Sequence, residues 1–252
     1  MPPNPRHETI LDLVNKRGSV AVVDLVSRCT VSAQTIRNDL RDLDGKGLVH
    51  RTHGGARKRA SVTNRAYTER RLHNRTAKTR IAALTAALIP DHAAVSLNIG
   101  TTTEHVADAL TSHQGLFILS NNINIINRMM ESRCRELVLV GGTIRPDDGA
   151  IVGDEAVAFL SRYKVDFAII GASSLDPDGA VLDFDPREVA VARALLKNAR
   201  HKILVCDHSK FETSAPIRIC DVADLDYVIT DRDPPGSFRD RARSGNTDII
   251  TP

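Results

Sequence analysis

Residues 31–56 read VSAQTIRNDLRDLDGKGLVHRTHGGA, and this stretch decides how the first part of the chain folds. Ser32 is a residue type that commonly caps the amino end of a helix. Behind it, Ile36, Leu40 and Leu43 recur at i, i+4 and i+7, which places them on one apolar face of a helix. A glycine-rich turn ends the helix, because glycine tolerates positive φ, and a short basic strand follows. The pattern predicts a helix with a wing behind it.

The other face of this helix carries short polar side chains and arginines, the types that reach base edges and phosphates. We predict base contacts from Gln34 and Arg37. Contacts to the backbone or groove edge are predicted for the remaining polar residues of helix and wing, which are Ser32, Thr35, Asn38, Arg41, Arg51 and His53. An ordinary amphipathic helix with a solvated charged face is the alternative. The agreement of apolar face, polar tip and basic wing favours a winged helix-turn-helix.

Two further helices precede this element, at 6–16 and 22–29, and each has an apolar stripe at helical spacing. The three helices and the wing complete a DNA-binding domain over residues 1–58. Residues 59–77 are polar and basic. They are predicted to be a linker, and a basic arm that adds phosphate contacts is an equally good interpretation of their charge.

The charge of the chain is unevenly distributed. The 252 residues are 42% hydrophobic and 26% charged, which fits a soluble protein of one or two domains. Residues 1–80 hold 17 Lys+Arg against 7 Asp+Glu, whereas the remainder holds 17 against 24. A basic front half joined to an acidic rear half indicates a nucleic-acid-binding module attached to a domain that does not touch DNA.

Cysteine usage and hydropathy exclude several classes of protein. The four cysteines show no Cys-x-x-Cys spacing, which favours structural thiols over zinc ligands or disulfides. We expect neither a metal nor a cofactor. Since no apolar run reaches transmembrane length and the polar start is no signal peptide, the chain is expected to be cytoplasmic, without a membrane partner.

From residue 78 to residue 252 the pattern changes to alternating helices and apolar strands. Helices are predicted at 81–88, 104–110, 123–130, 155–161 and 187–198. Strands are predicted at 93–99, 116–119, 137–140, 165–170, 203–206 and 227–230, with a long loop after residue 170. Such alternation predicts an α/β domain with a mostly parallel sheet covered on both faces.

Ligands of open parallel sheets bind outside the carboxyl ends of the strands. Small or polar residues follow five of the predicted strands, and their convergence on one rim predicts a binding site. The candidates are Asn98, Gly100, Thr101, Thr102, Ser120, Asn121, Asn122, Gly141, Gly142, Arg145, Asp183, Glu188 and Lys210.

The chemistry of these candidates fits a phosphate ester that also bears hydroxyl groups. Gly100 lets the backbone approach an anion at the amino end of a helix, where Thr101 and Thr102 add amides and hydroxyls. Taken alone, this turn could be a plain helix cap. Positive charge would come from Lys210 and Arg145. Acceptors for ligand hydroxyls would be Asn98, Asn121, Asp183 and Glu188.

The sequence also resembles a known family. QTIRNDLRDLDGKGLVHRTHGGA is similar to the DNA-binding module of the DeoR family of bacterial transcription regulators. NIGTT, SNNINI, GGTIR, DPDGAVLDFDPREVAVARAL and DHSKF resemble the sensor domain of its repressors. The resemblance covers nearly all of residues 6–231. The chain departs from the family at Asn38, usually a second arginine, and at Asn98, usually an aspartate.

The resemblance implies a repressor that binds double-stranded operator DNA. It also implies that the sensor domain has a sugar-phosphate-isomerase-like fold and binds a small phosphorylated metabolite. The wording DGAIVG at 148–153, FDPREV and DHSKF is most similar to family members concerned with glycerol 3-phosphate, which makes that ester the leading effector. A sugar phosphate is the alternative.

Two expectations concern activity and assembly. A phosphosugar isomerase-like enzyme would need a general base and a proton shuttle, for which Glu188, Asp207 and His208 are candidates. The attached DNA-binding module favours sensing, so we expect no enzymatic activity. Because one such module makes few DNA contacts, we expect a homo-oligomer, a dimer or tetramer, assembled by the sensor domain.

Overall fold

A computed structural model describes residues 5–17, 19–46, 48–52, 54–58 and 67–252. The chain divides into two compact units, residues 1–61 and residues 62–252. Within the described residues, no helix is both long enough and apolar enough to cross a bilayer.

The first unit is a winged helix-turn-helix. Its described helices are α1 (Pro5–Arg17), α2 (Val22–Cys29) and α3 (Ala33–Gly45). Its strands are β1 (Ser19–Ala21), β2 (Val49–Thr52) and β3 (Gly55–Lys58). Strand β3 lies in the middle of the sheet, antiparallel to both of its neighbours. The hairpin of β2 and β3 is the wing that the sequence predicts.

The core of this unit follows the predicted apolar spacing. Ile36, Leu40 and Leu43 are buried, and they share one apolar cluster with Ile10 of α1 and Leu25 of α2. At the start of α3, the Ser32 hydroxyl accepts a hydrogen bond from the backbone N–H of Thr35 at 3.1 Å. Three helices therefore bury their stripes against each other and leave the polar side of α3 to solvent.

A buried carboxylate, Asp39, adds a polar contact between α3 and α1. Its two oxygens accept from the Arg6 guanidinium, at 2.5 Å from Nε and 2.9 Å from Nη2. The His7 ring lies 3.1 Å away on the same carboxylate. The hydrogen bond from Arg6 holds the pKa of Asp39 below its ordinary value, although burial opposes this.

The second unit alternates helices and strands. Its described helices are α4 (Tyr67–Leu72), α5 (Arg75–Leu88), α6 (Thr101–Leu110), α7 (Ile123–Met129), α8 (Asp154–Leu160), α9 (Pro186–Lys197) and α10 (Gly236–Ser244). Its strands are β4 (Ala94–Leu97), β5 (Phe117–Ser120), β6 (Glu136–Leu139), β7 (Val165–Ile170), β8 (Ser174–Leu175), β9 (Ala180–Asp183), β10 (Ala199–Val205), β11 (Ile217–Asp221), β12 (Tyr227–Ile229) and β13 (Asp248–Ile250). Short 3-10 helices lie at His208–Glu212 and Val222–Asp224.

Seven strands form one parallel sheet in the order β13-β12-β10-β7-β4-β5-β6. Residues of α5, α6 and α7 pack in one apolar cluster on this sheet, and residues of α8, α9 and α10 pack in another. Since apolar strands buried on both faces need helices on both sides, the α/β architecture expected from the sequence is confirmed.

The structure corrects two of the expectations. Residues 67–77, expected to belong to a linker, are described as α4 and the start of α5; residues 59–66 lie outside the described residues. The loop expected after residue 170 contains β8 and β9, which join β11 in a small antiparallel sheet. Helix α4 has the sequence YTERRL. Six mostly polar residues are too few to show a helical periodicity, so the sequence does not distinguish this helix from a linker.

Replacing Asp39 by Asn should loosen the contact between α1 and α3. The amide keeps the size of the carboxylate but loses its charge and one acceptor, so a cost of about 1–3 kcal/mol is expected. Hydrogen exchange of the full chain at pH 7 should show faster exchange in peptides of both helices. Because the pKa of Asp39 is lowered on folding, the advantage of wild type is present above the ordinary pKa and is lost as the pH falls through the folded one.

The matched control is Asp42→Asn, at an exposed position of the same helix. Equal protection of the two variants would mean that the Asp39 contact contributes nothing measurable.

Candidate DNA-binding surface and effector pocket

The polar side of α3 presents most of the predicted DNA-contacting residues. Gln34, Arg37, Asn38 and Arg41 are exposed, and the Gln34 amide donates to the Asn38 side chain at 3.2 Å. Among the described residues, neither Arg37 nor Arg41 has an ion-pair partner, so both guanidinium groups are available to a ligand. This side of the helix offers amide and guanidinium donors, which suit base edges and phosphates.

The remaining predicted residues of this surface have different settings. The Ser32 and Thr35 hydroxyls lie 2.8 Å apart, so both contribute to the helix cap. Arg51 of the wing is exposed, and Arg37 and Thr52 line the same shallow cavity as Arg51. His53 lies outside the described residues. The cap orders the first turn of α3. Arg51 of the wing lines the same shallow cavity as Arg37, so the wing adds a second cation to this surface.

A pocket lies at the carboxyl ends of the central strands of the parallel sheet, where the sequence places a ligand. It is lined by eight of the predicted residues, which are Asn98, Gly100, Thr101, Thr102, Asn122, Asp183, Glu188 and Lys210. Lining residues that the sequence reasoning missed include Tyr67, Arg70, Asp148 and Ser173.

The part of the pocket wall at the start of α6 is built to receive an anion. Gly100 adopts φ +141°, a conformation that favours glycine, and it directly precedes α6. The first helical hydrogen bond runs from the N–H of Glu104 to the Gly100 carbonyl at 3.0 Å. The amides of Thr101 and Thr102 therefore come before the hydrogen-bonded turns of the helix and can donate to a ligand.

Two cations line the pocket without a direct ion pair to any described residue. Among the described residues, the Lys210 ammonium and the Arg70 guanidinium have no ion-pair or side-chain hydrogen-bond partner, and Arg70 Nε is buried. Burial lowers the pKa of Lys210, while the nearby Asp207 carboxylate opposes the shift. Such uncompensated charge in a partly buried site is stabilised by an anionic ligand.

The same pocket is also lined by acidic side chains. Asp183 is buried and accepts from the Ser173 hydroxyl at 3.1 Å, and burial raises its pKa. Burial and the charge of Asp183 raise the pKa of Glu188 to about 7, although Arg145 opposes this. In the described part of the chain, Asn98 Oδ1 is buried with no hydrogen-bond partner. These oxygens are potential acceptors for ligand hydroxyl groups.

Five predicted effector residues do not line the pocket, and two of them hold the surrounding loops. The Ser120 hydroxyl donates to the Leu97 carbonyl at 2.8 Å, which ties the end of β5 to β4. The Asn121 amide donates to the Ile151 carbonyl at 3.0 Å. Gly141 and Gly142 are exposed in the turn after β6.

Arg145 is the fifth, and the expectation that it supplies free positive charge needs correction. Its guanidinium donates to Asp148, Asp185 and Glu188 together. The hydrogen bond to Asp148 is the main reason why the pKa of Arg145 is raised. Because three carboxylates already neutralise it, Arg145 organises acidic side chains at the pocket, and the arginine that lines the pocket is Arg70.

Helix α4 carries Tyr67 and Arg70, two of the pocket residues that were not predicted from the sequence. Hydrogen bonds to α5 and α6 hold this helix beside the pocket. The Tyr67 hydroxyl donates to Glu104 of α6 at 2.6 Å, and burial together with this bond raises the pKa of Tyr67 to about 12. The buried Lys78 ammonium donates to two backbone carbonyls, that of Arg70 within α4 and that of His73 just after the helix ends. These contacts fix the position from which Arg70 reaches the pocket.

Both units match known domains. Residues 6–62 match the DeoR-like helix-turn-helix domain, and residues 73–232 match the DeoR C terminal sensor domain. The chain belongs to the DeoR family. Arg70 and Tyr67 lie between the two matched stretches of this DeoR-family regulator.

Its relatives are named as transcriptional regulators. The chain is 40% identical to the glycerol-3-phosphate regulon repressor of Escherichia coli, over 92% of each chain. It is 35% identical to the HTH-type transcriptional repressor CsqR of the same organism, over 99% of this chain and 95% of the relative. Among solved structures, ribose 5-phosphate isomerase from Plasmodium falciparum aligns with 53% of this chain and 51% of its own, at 11% identity and a TM-score of 0.39.

The acidic side chain of Glu188 in the pocket should make the stability of this DeoR-family regulator depend on pH. Because the pKa of Glu188 is raised from 4.5 to about 7 on folding, its ionisation costs stability progressively as the pH rises through that window. Glu188→Gln cannot ionise. Its melting temperature without effector should therefore match wild type near pH 5 and exceed it near pH 8, as measured by differential scanning calorimetry.

Glu131→Gln, the same exchange at an exposed site, serves as the control. A difference between Glu188→Gln and wild type that stays constant across the pH range would contradict the raised pKa.

Proposed function

We propose that this chain is a transcriptional repressor whose operator binding is relieved by a small phosphorylated metabolite, with glycerol 3-phosphate as the leading candidate. The observation that carries this proposal is a single pocket lined both by cations that have no ion-pair partner among the described residues and by buried carboxylate and amide oxygens. Lys210, Arg70 and the amino end of α6 suit a phosphate. Asp183 and Glu188 suit the hydroxyl groups of a short polyol.

The name of the relative supports the choice of effector. The E. coli glycerol-3-phosphate regulon repressor shares 40% identity over nearly the whole length of both chains. A sugar phosphate also carries a phosphate and hydroxyl groups, and it is the alternative ligand. Calorimetric titration with glycerol 3-phosphate and with a phosphosugar separates these two candidate effectors.

We propose sensing and not catalysis. The named relatives are repressors. An isomerase needs a base and a proton shuttle at the carbon that reacts, and the histidine considered for this role, His208, is not among the residues that line the pocket.

The proposed coupling between the two activities runs through α4. This helix is the first described element after the DNA-binding unit in the chain, and it supplies Arg70 to the pocket. A phosphate between Arg70 and Lys210 would remove the repulsion of two like charges and hold α4 more firmly. An effector needs a differential of only about 1–3 kcal/mol between the two arrangements to change operator occupancy 5- to 150-fold.

Arg37→Ala tests the DNA-binding surface. Loss of one base-contacting fork should cost about 1–3 kcal/mol and relax base preference. Fluorescence anisotropy titrations at fixed salt would compare a duplex selected by wild-type protein from a random library with a scrambled duplex. The control, Arg243→Ala, removes the same charge from an exposed site in the other unit. An unchanged ratio of the two affinities would remove Arg37 from the base-reading residues.

Lys210→Gln tests the pocket. Loss of one charge-assisted hydrogen bond to phosphate, about 1.5–3 kcal/mol, should weaken glycerol 3-phosphate binding roughly 10- to 150-fold. Isothermal titration calorimetry of wild type, Lys210→Gln and the exposed control Lys197→Gln gives this comparison, with unphosphorylated glycerol and a phosphosugar as further ligands.

Equal glycerol 3-phosphate affinity in wild type and Lys210→Gln would refute the assignment of the phosphate to Lys210. Tighter binding of the phosphosugar than of glycerol 3-phosphate would replace the effector and leave the pocket assignment standing.

A further inference from the structure

Aromatic side chains gather on one side of the second unit, at the edge of the parallel sheet. The chain has only six Phe and three Tyr. Three of these nine meet here: the Tyr163 ring lies 5.9 Å from Phe117 of β5 and 5.5 Å from Phe159 of α8. All three rings are only partly buried, and they pack against the same apolar core of the unit as Val138 of the edge strand β6. Partly exposed aromatic clusters are characteristic of the centres of protein interfaces.

The exposed side of α8 continues this cluster and carries opposite charges at its two ends. Glu155, Ala158 and Arg162 follow the spacing i, i+3 and i+7, which places them on one side of the helix and the turn behind it. The Arg162 guanidinium carbon lies 5.9 Å from the centre of the Phe159 ring, so Arg162 is on the side of the aromatic cluster. Ala158, between the two charges, is small and exposed.

Neither charge is used within the unit. Among the described residues, Glu155 has no ion-pair or side-chain hydrogen-bond partner, and Arg162 has only the contact with the Phe159 ring. The two residues are seven positions apart in the sequence, and no ion pair joins them in the described part of the chain. A surface with an acidic end, a small residue at its centre and a basic end is complementary to itself after a rotation of 180°.

We propose that this surface joins two copies of the chain, with α8 packed antiparallel against the partner's α8 about a two-fold axis at Ala158. Glu155 then faces the partner's Arg162, and Arg162 faces the partner's Glu155, as a symmetric interface requires. Ala158 lets the two helices approach closely, and the aromatic cluster lies beside the contact and excludes water from it.

A dimer contact needs more surface than α8 alone supplies. A stable interface buries about 800 Å² on each partner, more than one seven-residue helix provides. Phe117 and Val138 extend the apolar surface from α8 onto the sheet edge. The inference rests on the proposed operator binding, for which more than one copy of the chain is expected, and it is independent of which effector binds.

Charge reversal provides the test. Sedimentation velocity of the full chain should show wild type as a dimer or a higher even-numbered oligomer. Glu155→Arg alone and Arg162→Glu alone each place like charges opposite one another twice, and each should weaken self-association about 100-fold or more. Glu131→Arg, an exposed reversal on another part of the unit, is the control and should behave as wild type.

Rescue distinguishes this interface from misfolding. An equimolar mixture of Glu155→Arg and Arg162→Glu should associate, because in the mixed pair Arg at 155 faces the partner's Glu at 162 and Arg162 faces the partner's Glu155. The double variant Glu155→Arg/Arg162→Glu should also associate with itself. Wild-type association of either single variant, a monomeric wild type, or failure of both rescues would overturn the proposal.

The outcomes separate this inference from the proposed function. If the single variants associate as wild type and still bind operator and glycerol 3-phosphate, the interface is wrong and the regulatory proposal stands. If the rescue succeeds but no duplex is bound, the interface stands and the proposed function fails.

Discussion

Positive charge without a direct ion pair to any described residue is the constraint around which the second unit is built. Lys210, Arg70 and the free amides at the start of α6 face one pocket, and no acidic side chain of the described residues pairs with either cation. Holding such groups together in a partly buried site is unfavourable in the empty protein, and a phosphate reverses the sign of that contribution. The lowered pKa of Lys210 reflects the same cost.

The parallel sheet is what brings these groups together. All seven of its strands run in one direction, so the loops that follow β4, β7 and β10 open at one edge. Gly100 and Lys210 lie in two of these loops, while the acidic residues Asp183 and Glu188 come from the segment after β7. The architecture thus supplies a site that combines cationic and acidic side chains, and α4 completes it from outside the sheet.

Much of this organisation can be predicted from the sequence, because local physical chemistry decides it. The apolar spacing of α3 and its Ser32 cap predict the helix, and the apolar run of β7 predicts that strand with the bounds that it has in the structure. The rim loops follow from the rule that parallel strands end together.

What could not be predicted depends on contacts between residues distant in sequence. Arg145 looks like a free cation in the sequence, but the fold surrounds it with three carboxylates, two of which lie some 40 residues away. Arg70 lies in a short charged stretch without periodicity, so only the tertiary contacts of α4 with Lys78 and Glu104 show that it faces a pocket. Ser120 and Asn121 have the residue types of ligand contacts, yet they hold backbone carbonyls of their own unit.

The central claim, that anion occupancy of the pocket opposes operator binding, is tested most directly by thermodynamic linkage. Isothermal titration calorimetry would measure the affinity of the full wild-type chain for glycerol 3-phosphate, first alone and then saturated with its selected duplex. Since coupling is reciprocal, the account predicts that the ester binds about 5- to 150-fold more weakly to the DNA-bound protein. Equal affinity in the two titrations would contradict it.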